Sequence, residues 1–200
     1  NRSGYVLLDY LINNTPFKPH TVLLPFDNAN FKLDDEFLSF EEIKKYKEEV
    51  SHYGCKPIRF MKSIKLLAKT SGISVIQKQS IKTEDIYQII KEKSFDLIVL
   101  GGGWPELLPE RVIKLPKYGV INAHPSLLPE FRGTDVHRWQ IFMNVKISGV
   151  TIHYVNEFFD AGEILGQAKT QISSHDTPQK LFLKVTNIAG RLMHSVIEDI

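Results

Sequence analysis

Two hundred residues, 42% hydrophobic and 24% charged, suit one ordinary globular domain with ample material for a core. A net charge of +2 on scattered basic residues gives no sign of a nucleic-acid surface, although phosphorylated small molecules remain open. Cys55 stands alone, which excludes a disulfide framework and a Cys-based metal cluster. No apolar run reaches bilayer length and Asn1 to Tyr5 lacks the form of a signal peptide, so a cytoplasmic protein with no membrane partner is expected.

Asn1 to Gly4 reads as a turn and Tyr5 to Asn13 as a packed helix. An α/β chain places a strand before such a turn, so a first strand is expected upstream of residue 1. His20 to Phe26 reads as a strand ending in the turn residues Asp27 to Asn30, and the charged stretch Asp34 to Tyr53 as a solvated helix. From Pro57 onward helices and strands alternate. Phe60, Ile64 and Leu67 share a helical face that stops at Gly72, and Ile73 to Gln77 is a short strand. Thr83 is placed to cap a helix whose inward residues are Ile86, Ile89 and Ile90, and Asp96 to Leu100 is an apolar strand. Such alternation means βαβ units and a largely parallel sheet flanked by helices, an α/β fold.

The strand at Leu100 runs into Gly101-Gly102-Gly103-Trp104-Pro105, either a ligand-lining loop or a tight structural turn; it lacks the spacing of a phosphate motif. Gly119 to Ile121 then begins a buried strand whose period of two turns Asn122 and His124 to one side and Ala123 to the other. Pro125 and Pro129 end the ladder and give a stiff loop closed by Gly133. Beyond it, Thr134 is a candidate helix cap with Asp135 in the first turn, and Val136, Trp139 and Met143 share a face. Ser148 to Val155 alternates as a strand, Asn156 to Gly162 is a loop, and Glu163 to Ile172 is a further strand. Thr177 and Pro178 open a long helix with the inward stripe Leu181, Val185, Ile188, Leu192 and Val196. There is no repeat, low-complexity segment or interdomain linker.

Singly, the polar residues near the Pro-rich loop have plain structural uses: His124 as a satisfied strand-end histidine, Asn122 as a loop tie, Asp160 as a turn residue. Together they offer a neutral N–H for an oxyanion, a base that titrates near neutrality and a carboxylate to orient it. No Ser or Cys sits in a nucleophile motif, since Gly-x-Ser-x-Gly is absent and Ser126 lies too close to His124. No His pair has ligand spacing beside a third ligand, so a zinc site is not expected. Direct attack by a substrate fits this set.

The run Asn122-Ala123-His124-Pro125-Ser126-Leu127-Leu128-Pro129-Glu130-Phe131-Arg132-Gly133, followed by Gly149-Val150-Thr151-Ile152-His153 and Asp160-Ala161-Gly162, resembles the folate-dependent formyltransferase family. That family includes glycinamide ribonucleotide, methionyl-tRNA and sugar N-formyltransferases. The likeness extends more weakly from Lys56 to Ile172. It implies a Rossmann-like formyltransferase fold, with residues 1–200 as a single catalytic domain, and 10-formyltetrahydrofolate as formyl donor without a metal. Asn122, His124 and Asp160 match the catalytic trio. Gly102, Gly103, Trp104, Leu107 and Leu108 on one side, and Tyr154, Glu157, Phe159 and Gly162 on the other, match the walls of the folate pocket. The partners so implied are folate and a small-molecule amine, with tRNA only if a further C-terminal domain follows Ile200. His124 to Pro129 with Phe131 is closest to the purine-pathway branch, whereas Arg132-Gly133 with Trp139 leans to the sugar-nucleotide and tRNA branches. Arg2-Ser3-Gly4-Tyr5 is not the phosphate-binding turn usual in the purine branch. A hydrolase of the same folate shares the trio, and a catalytically silent folate-binding domain shares the fold. An oxidoreductase on a doubly wound sheet rests only on fold class and Gly101 to Gly103.

Overall fold

The computed structural model describes residues 2–25, 64–101 and 106–200. Its elements in chain order are α1 (Arg2–Asn14), β1 (Thr21–Pro25), α2 (Ile64–Thr70), β2 (Ser74–Lys78), α3 (Glu84–Lys93), β3 (Ile98–Leu100), α4 (Glu110–Ile113), β4 (Val120–His124), α5 (Val136–Phe142), β5 (Ile147–Tyr154), β6 (Ile164–Gln171) and α6 (Pro178–Asp199). The helix expected over Asp34 to Tyr53, the residue Phe60, and Gly102, Gly103 and Trp104 lie outside the described residues.

The α/β reading holds, with a division within it. Strands β1 and β2 pair in parallel, as do β3 and β4, while β4 with β5 and β5 with β6 are antiparallel. Helices lie between the strands of both parallel pairs, but α5 also lies between the antiparallel β4 and β5, so an intervening helix does not fix the sense of pairing. Strands β5 and β6 are joined by a loop, which permits direct antiparallel return.

The described strands form two sheets, β1-β2 and β3-β4-β5-β6, and alternation along the strands of the larger sorts side chains to its two faces. Ile121 of β4 and Val150 and Ile152 of β5 enter a core with Leu7 and Leu11 of α1 and Leu181, Val185, Met193 and Val196 of α6. Val120 enters a second core with Ile86 and Ile90 of α3, Leu108 and Val112. A third joins Leu8 to Leu67, Ala68 and Ile73. Helix α6 forms as its sequence dictates, because the Thr177 hydroxyl accepts the Lys180 N–H at 3.2 Å, Pro178 needs no donor in the first turn, and the expected stripe faces the sheet. Its Gly190 is where α1 crosses: a Cβ there would stand 2.5 Å from Cγ of Tyr10.

Three helix starts differ from expectation: α1 already begins at Arg2, inside the stretch read as a turn, and the other two concern caps. Thr83 stands at the N-cap of α3 but its side chain makes no capping bond; Asp85 accepts the Ile86 N–H and pairs with Lys78 instead. The N-cap of α5 is Asp135, in the left-handed region at φ +56, not Thr134. That shift turns Val136 and Gln140 inward and leaves Trp139 57% and Met143 61% exposed.

Candidate active site

Strand β4 delivers the site. Val120 belongs to the second core and Ile121 to the first, so the period of two places Asn122 and His124 on the α3 and α4 side and Ala123 against α6. On β5, Asn122 is opposite His153 and His124 opposite Thr151 in the antiparallel register. Thr151, His153 and Val155 therefore share the face of Asn122 and His124.

His124 is buried at 3% exposure. Its Nε2–H donates to the Phe131 carbonyl at 2.7 Å, and Nδ1 lies 3.4 Å from Oδ2 of Asp160. Because a carbonyl only accepts, Nε2 carries hydrogen and Nδ1 is the nitrogen free to gain or lose a proton. Burial pushes His124 below the ordinary histidine value, against the pull of the Asp160 carboxylate and the Phe131 bond. The resting imidazole is thus biased to the neutral, proton-accepting form.

Asp160 stands at φ +47, a conformation that aspartate tolerates better than most residues. The Gly133 N–H donates to its Oδ2 at 2.8 Å, so the loop after β4 and the loop after β5 are tied through this carboxylate. Burial pushes the Asp160 carboxyl up, but His153, the charge on His124 and the Gly133 N–H together hold it below the usual carboxylate range. A carboxylate kept ionised beside Nδ1 stabilises an imidazolium once one forms.

The loop itself is fixed by buried polar groups. Thr151 donates to the Ser126 carbonyl at 2.7 Å and accepts from the Leu128 N–H at 3.0 Å and from Gln167 at 2.9 Å. Gln167 also donates to the Leu128 carbonyl at 2.8 Å, and Ser126 donates to the Glu130 carbonyl at 2.8 Å. These bonds replace the ladder that Pro125 and Pro129 cannot continue. Leu128 and Pro129 are joined by a cis peptide.

A hydrogen-bond donor, a neutral base and an ionised carboxylate so gathered at a strand end can polarise a carbonyl and move a proton. The model of the family described as formyl transferase matches residues 46–197. The chain belongs to the formyl transferase family. It is 33% identical over 144 residues to a methionyl-tRNA formyltransferase of Bacillus cytotoxicus, covering 72% of this chain and 46% of that protein. With the corresponding protein of Ehrlichia ruminantium it is 36% identical over 137 residues, 68% of this chain and 45% of the relative. The chain thus spans just under half the length of these relatives. Among solved structures it is similar to the phosphoribosylglycinamide formyltransferase of Anaplasma phagocytophilum, at 30% identity and TM-score 0.61 over 66% of this chain and 64% of the other. It shares its fold with that of Bacillus halodurans, at 24% identity and TM-score 0.63 over 90% and 94%.

The chain brings Asn122, His124 and Asp160 together. The residues expected to wall a folate are more dispersed in role. Leu108 is buried in the second core, where Val155 also packs, so the segments after β3 and β5 meet at one patch, and Leu107 is half-buried beside it. Tyr154 is half-buried against the first core. Glu157 and Phe159 are exposed, Phe159 at 63%, with Phe158 similarly open. Gly162 is where the loop closes on β5: a Cβ there would lie 1.8 Å from the Tyr154 carbonyl oxygen, so only glycine lets Asp160 reach its place.

One residue of the cluster escaped the sequence-based site. His153, 2% exposed, has Nε2 at 3.3 Å from Nδ2 of Asn122 and 3.6 Å from Oδ1 of Asp160, and Nδ1 at 2.8 Å from the Tyr154 carbonyl. Its signal was the alternation of Ser148 to Val155, which grouped it with Thr151, but only the β4–β5 register sets it opposite Asn122.

Proposed function

We propose that this chain moves a formyl group from 10-formyltetrahydrofolate to an amine acceptor by direct attack, with Asn122, His124 and Asp160 as the catalytic residues. The observation that carries this reading is the juxtaposition of the Asn122 amide, the buried His124 with its free Nδ1, and the ionised Asp160 at the end of β4. The residues fit such a donor: the site offers an N–H for a carbonyl oxygen, a base and exposed aromatic surface at Phe158 and Phe159. When bound, the folate supplies an activated one-carbon unit.

The protein's share is positioning, polarisation and proton transfer. As the amine nitrogen bonds to the formyl carbon, the carbonyl oxygen becomes an oxyanion, to which Asn122 donates an N–H. His124 takes the amine proton on Nδ1, and Asp160 stabilises the imidazolium. The C–N bond to the folate then breaks, and the proton passes from His124 to the departing nitrogen. Supporting this reading, the chain belongs to the formyl transferase family and its relatives carry names with two acceptors, methionyl-tRNA and phosphoribosylglycinamide. The higher identity to the former supports trying an aminoacyl ester amine first among acceptors, ahead of a glycinamide ribonucleotide or sugar-nucleotide amine.

The test is incubation of the chain with 10-formyltetrahydrofolate and each acceptor in turn, following folate release by absorbance and the formylated product by mass. Transfer to one amine establishes the acceptor. Release of formate with water alone makes the chain a hydrolase, and binding without release under every acceptor overturns the catalytic reading.

A further inference from the structure

We infer that His153 is a positioning residue that acts through Asn122: it holds the amide with its nitrogen, not its oxygen, turned to the imidazole. The inference rests on the formyl-transfer reading for its consequence in rate, but its structural content stands by itself.

The order of the bonds decides the orientation. The Tyr154 carbonyl, 2.8 Å from Nδ1 of His153, can only accept, so Nδ1 carries the hydrogen. In the neutral ring Nε2 is then a bare acceptor, and the Asn122 group facing it at 3.3 Å must be the NH2. An amide nitrogen has two hydrogens; the one given to His153 fixes the plane of the amide and leaves the second for an oxyanion. Asp160 Oδ1, at 3.6 Å from Nε2, lies beyond hydrogen-bond reach and does not compete in this state. A hydrogen on Nε2 would turn that nitrogen to Asp160 and set N–H against N–H at Asn122. The amide would then flip to offer its oxygen to that N–H and turn its nitrogen away. The two states of His153 thus correspond to two settings of Asn122. Burial at 2% exposure, a fixed Nδ1 bond and direct pairing across β4 and β5 hold the ring edge against the Asn122 amide.

The experiment is a nitrogen-15 ring spectrum of the full chain at neutral pH without folate, the His153 signals being assigned by their loss in His153→Gln. The expected result is a pyrrole-type Nδ1 and a pyridine-type Nε2. A pyrrole-type Nε2, alone or with a pyrrole-type Nδ1, overturns the inference. In the transfer assay, His153→Leu is expected to lower kcat roughly tenfold or more with KM for the folate unchanged, since an oxyanion donor loses its aim. His153→Gln, whose Oε1 can accept from Asn122, is expected to regain most of that loss. In an Asn122→Ala background His153→Leu should cost nothing further. Equal losses in the two His153 variants, or full additivity with Asn122→Ala, overturn the inference. A wild-type chain that releases no formyl group refutes the formyl-transfer reading, while the ring spectrum still decides the tautomer.

Discussion

The Phe131 carbonyl that accepts the His124 Nε2–H at 2.7 Å belongs to a residue in the left-handed region, at φ +53. That conformation costs a non-glycine residue about 1–2 kcal/mol. Two donors converge on the oxygen, His124 and the Ser126 hydroxyl at 3.2 Å, and hold the strained residue where it sets the tautomer of the base. Ser126→Ala removes the second donor. It is expected to lower stability by about 1 kcal/mol, read from urea midpoints at unchanged slope, and to slow transfer several-fold without affecting folate binding.

Thr151 offers a sharper test of how the loop is held. Its hydroxyl is fully buried and serves the Ser126 carbonyl and the Leu128 N–H together. Thr151→Val keeps the shape but strands those two backbone groups, at about 1–3 kcal/mol each less whatever Gln167 recovers. A loss of roughly 2–4 kcal/mol in unfolding free energy is expected. A change below about 0.5 kcal/mol would mean that the loop is held by its prolines alone.

His124 links stability to pH. Its folded value lies below the ordinary 6.5, so the unfolded chain takes up a proton before the folded one as pH falls. The contribution is fully present above about 6.5 and is lost as pH falls through the folded value. Asp160, lowered from 3.8, acts with the same sign at more acid pH. The melting temperature is therefore expected to fall between neutrality and about pH 5, and to fall less in His124→Gln, which cannot titrate. Equal slopes in the two proteins would refute the linkage. Asp160→Asn removes an influence that raises His124, so its imidazole should titrate lower still in a proton NMR titration.

Much of this arrangement was legible in the chain. The period of two put Asn122 and His124 on one side, Pro125 and Pro129 marked the end of the strand, and Thr177 with Pro178 opened α6 as read. What escaped was set by distant contacts. Whether Trp139 faces inward depends on where α5 starts, and that follows from Asp135 at φ +56, which no local propensity favours over a Thr134 cap. The antiparallel return of β5 and β6 depends on pairing across the sheet, and the same pairing, not any motif, sets His153 against Asn122. Leu108, expected on a ligand wall, is drawn into the core by Val112 and Ile86.

The crossing of α1 over α6 depends on a missing side chain. With a Cβ at position 190 only 2.5 Å from Cγ and 2.9 Å from Cβ of Tyr10, the root of that side chain would have to move, carrying α1 with it. Helix propensity favours alanine by about 1 kcal/mol. Overpacking costs about 1–3 kcal/mol and outweighs it here, since the clash is with the stem of the ring and not its tip. Gly190→Ala is expected to lower the melting temperature by several degrees, with Tyr10→Ala in the same chain relieving the clash and restoring part of the loss.

Asn122→Ala and His124→Ala test the site directly. Neither side chain is part of a hydrophobic cluster, and Asn122 is only half-buried, so both variants should fold, as far-ultraviolet circular dichroism would show. Their rates should differ in kind. Loss of the Asn122 N–H removes a bond that strengthens as the oxyanion forms, so kcat should fall by about a hundredfold or more with KM for the folate little changed. Loss of His124 removes the proton carrier, again about a hundredfold, but an added small base such as imidazole can restore part of the rate only in that variant. Near-normal turnover in either protein under saturating folate would place the chemistry elsewhere. Rescue of Asn122→Ala by imidazole would reassign its role from oxyanion donor to proton transfer.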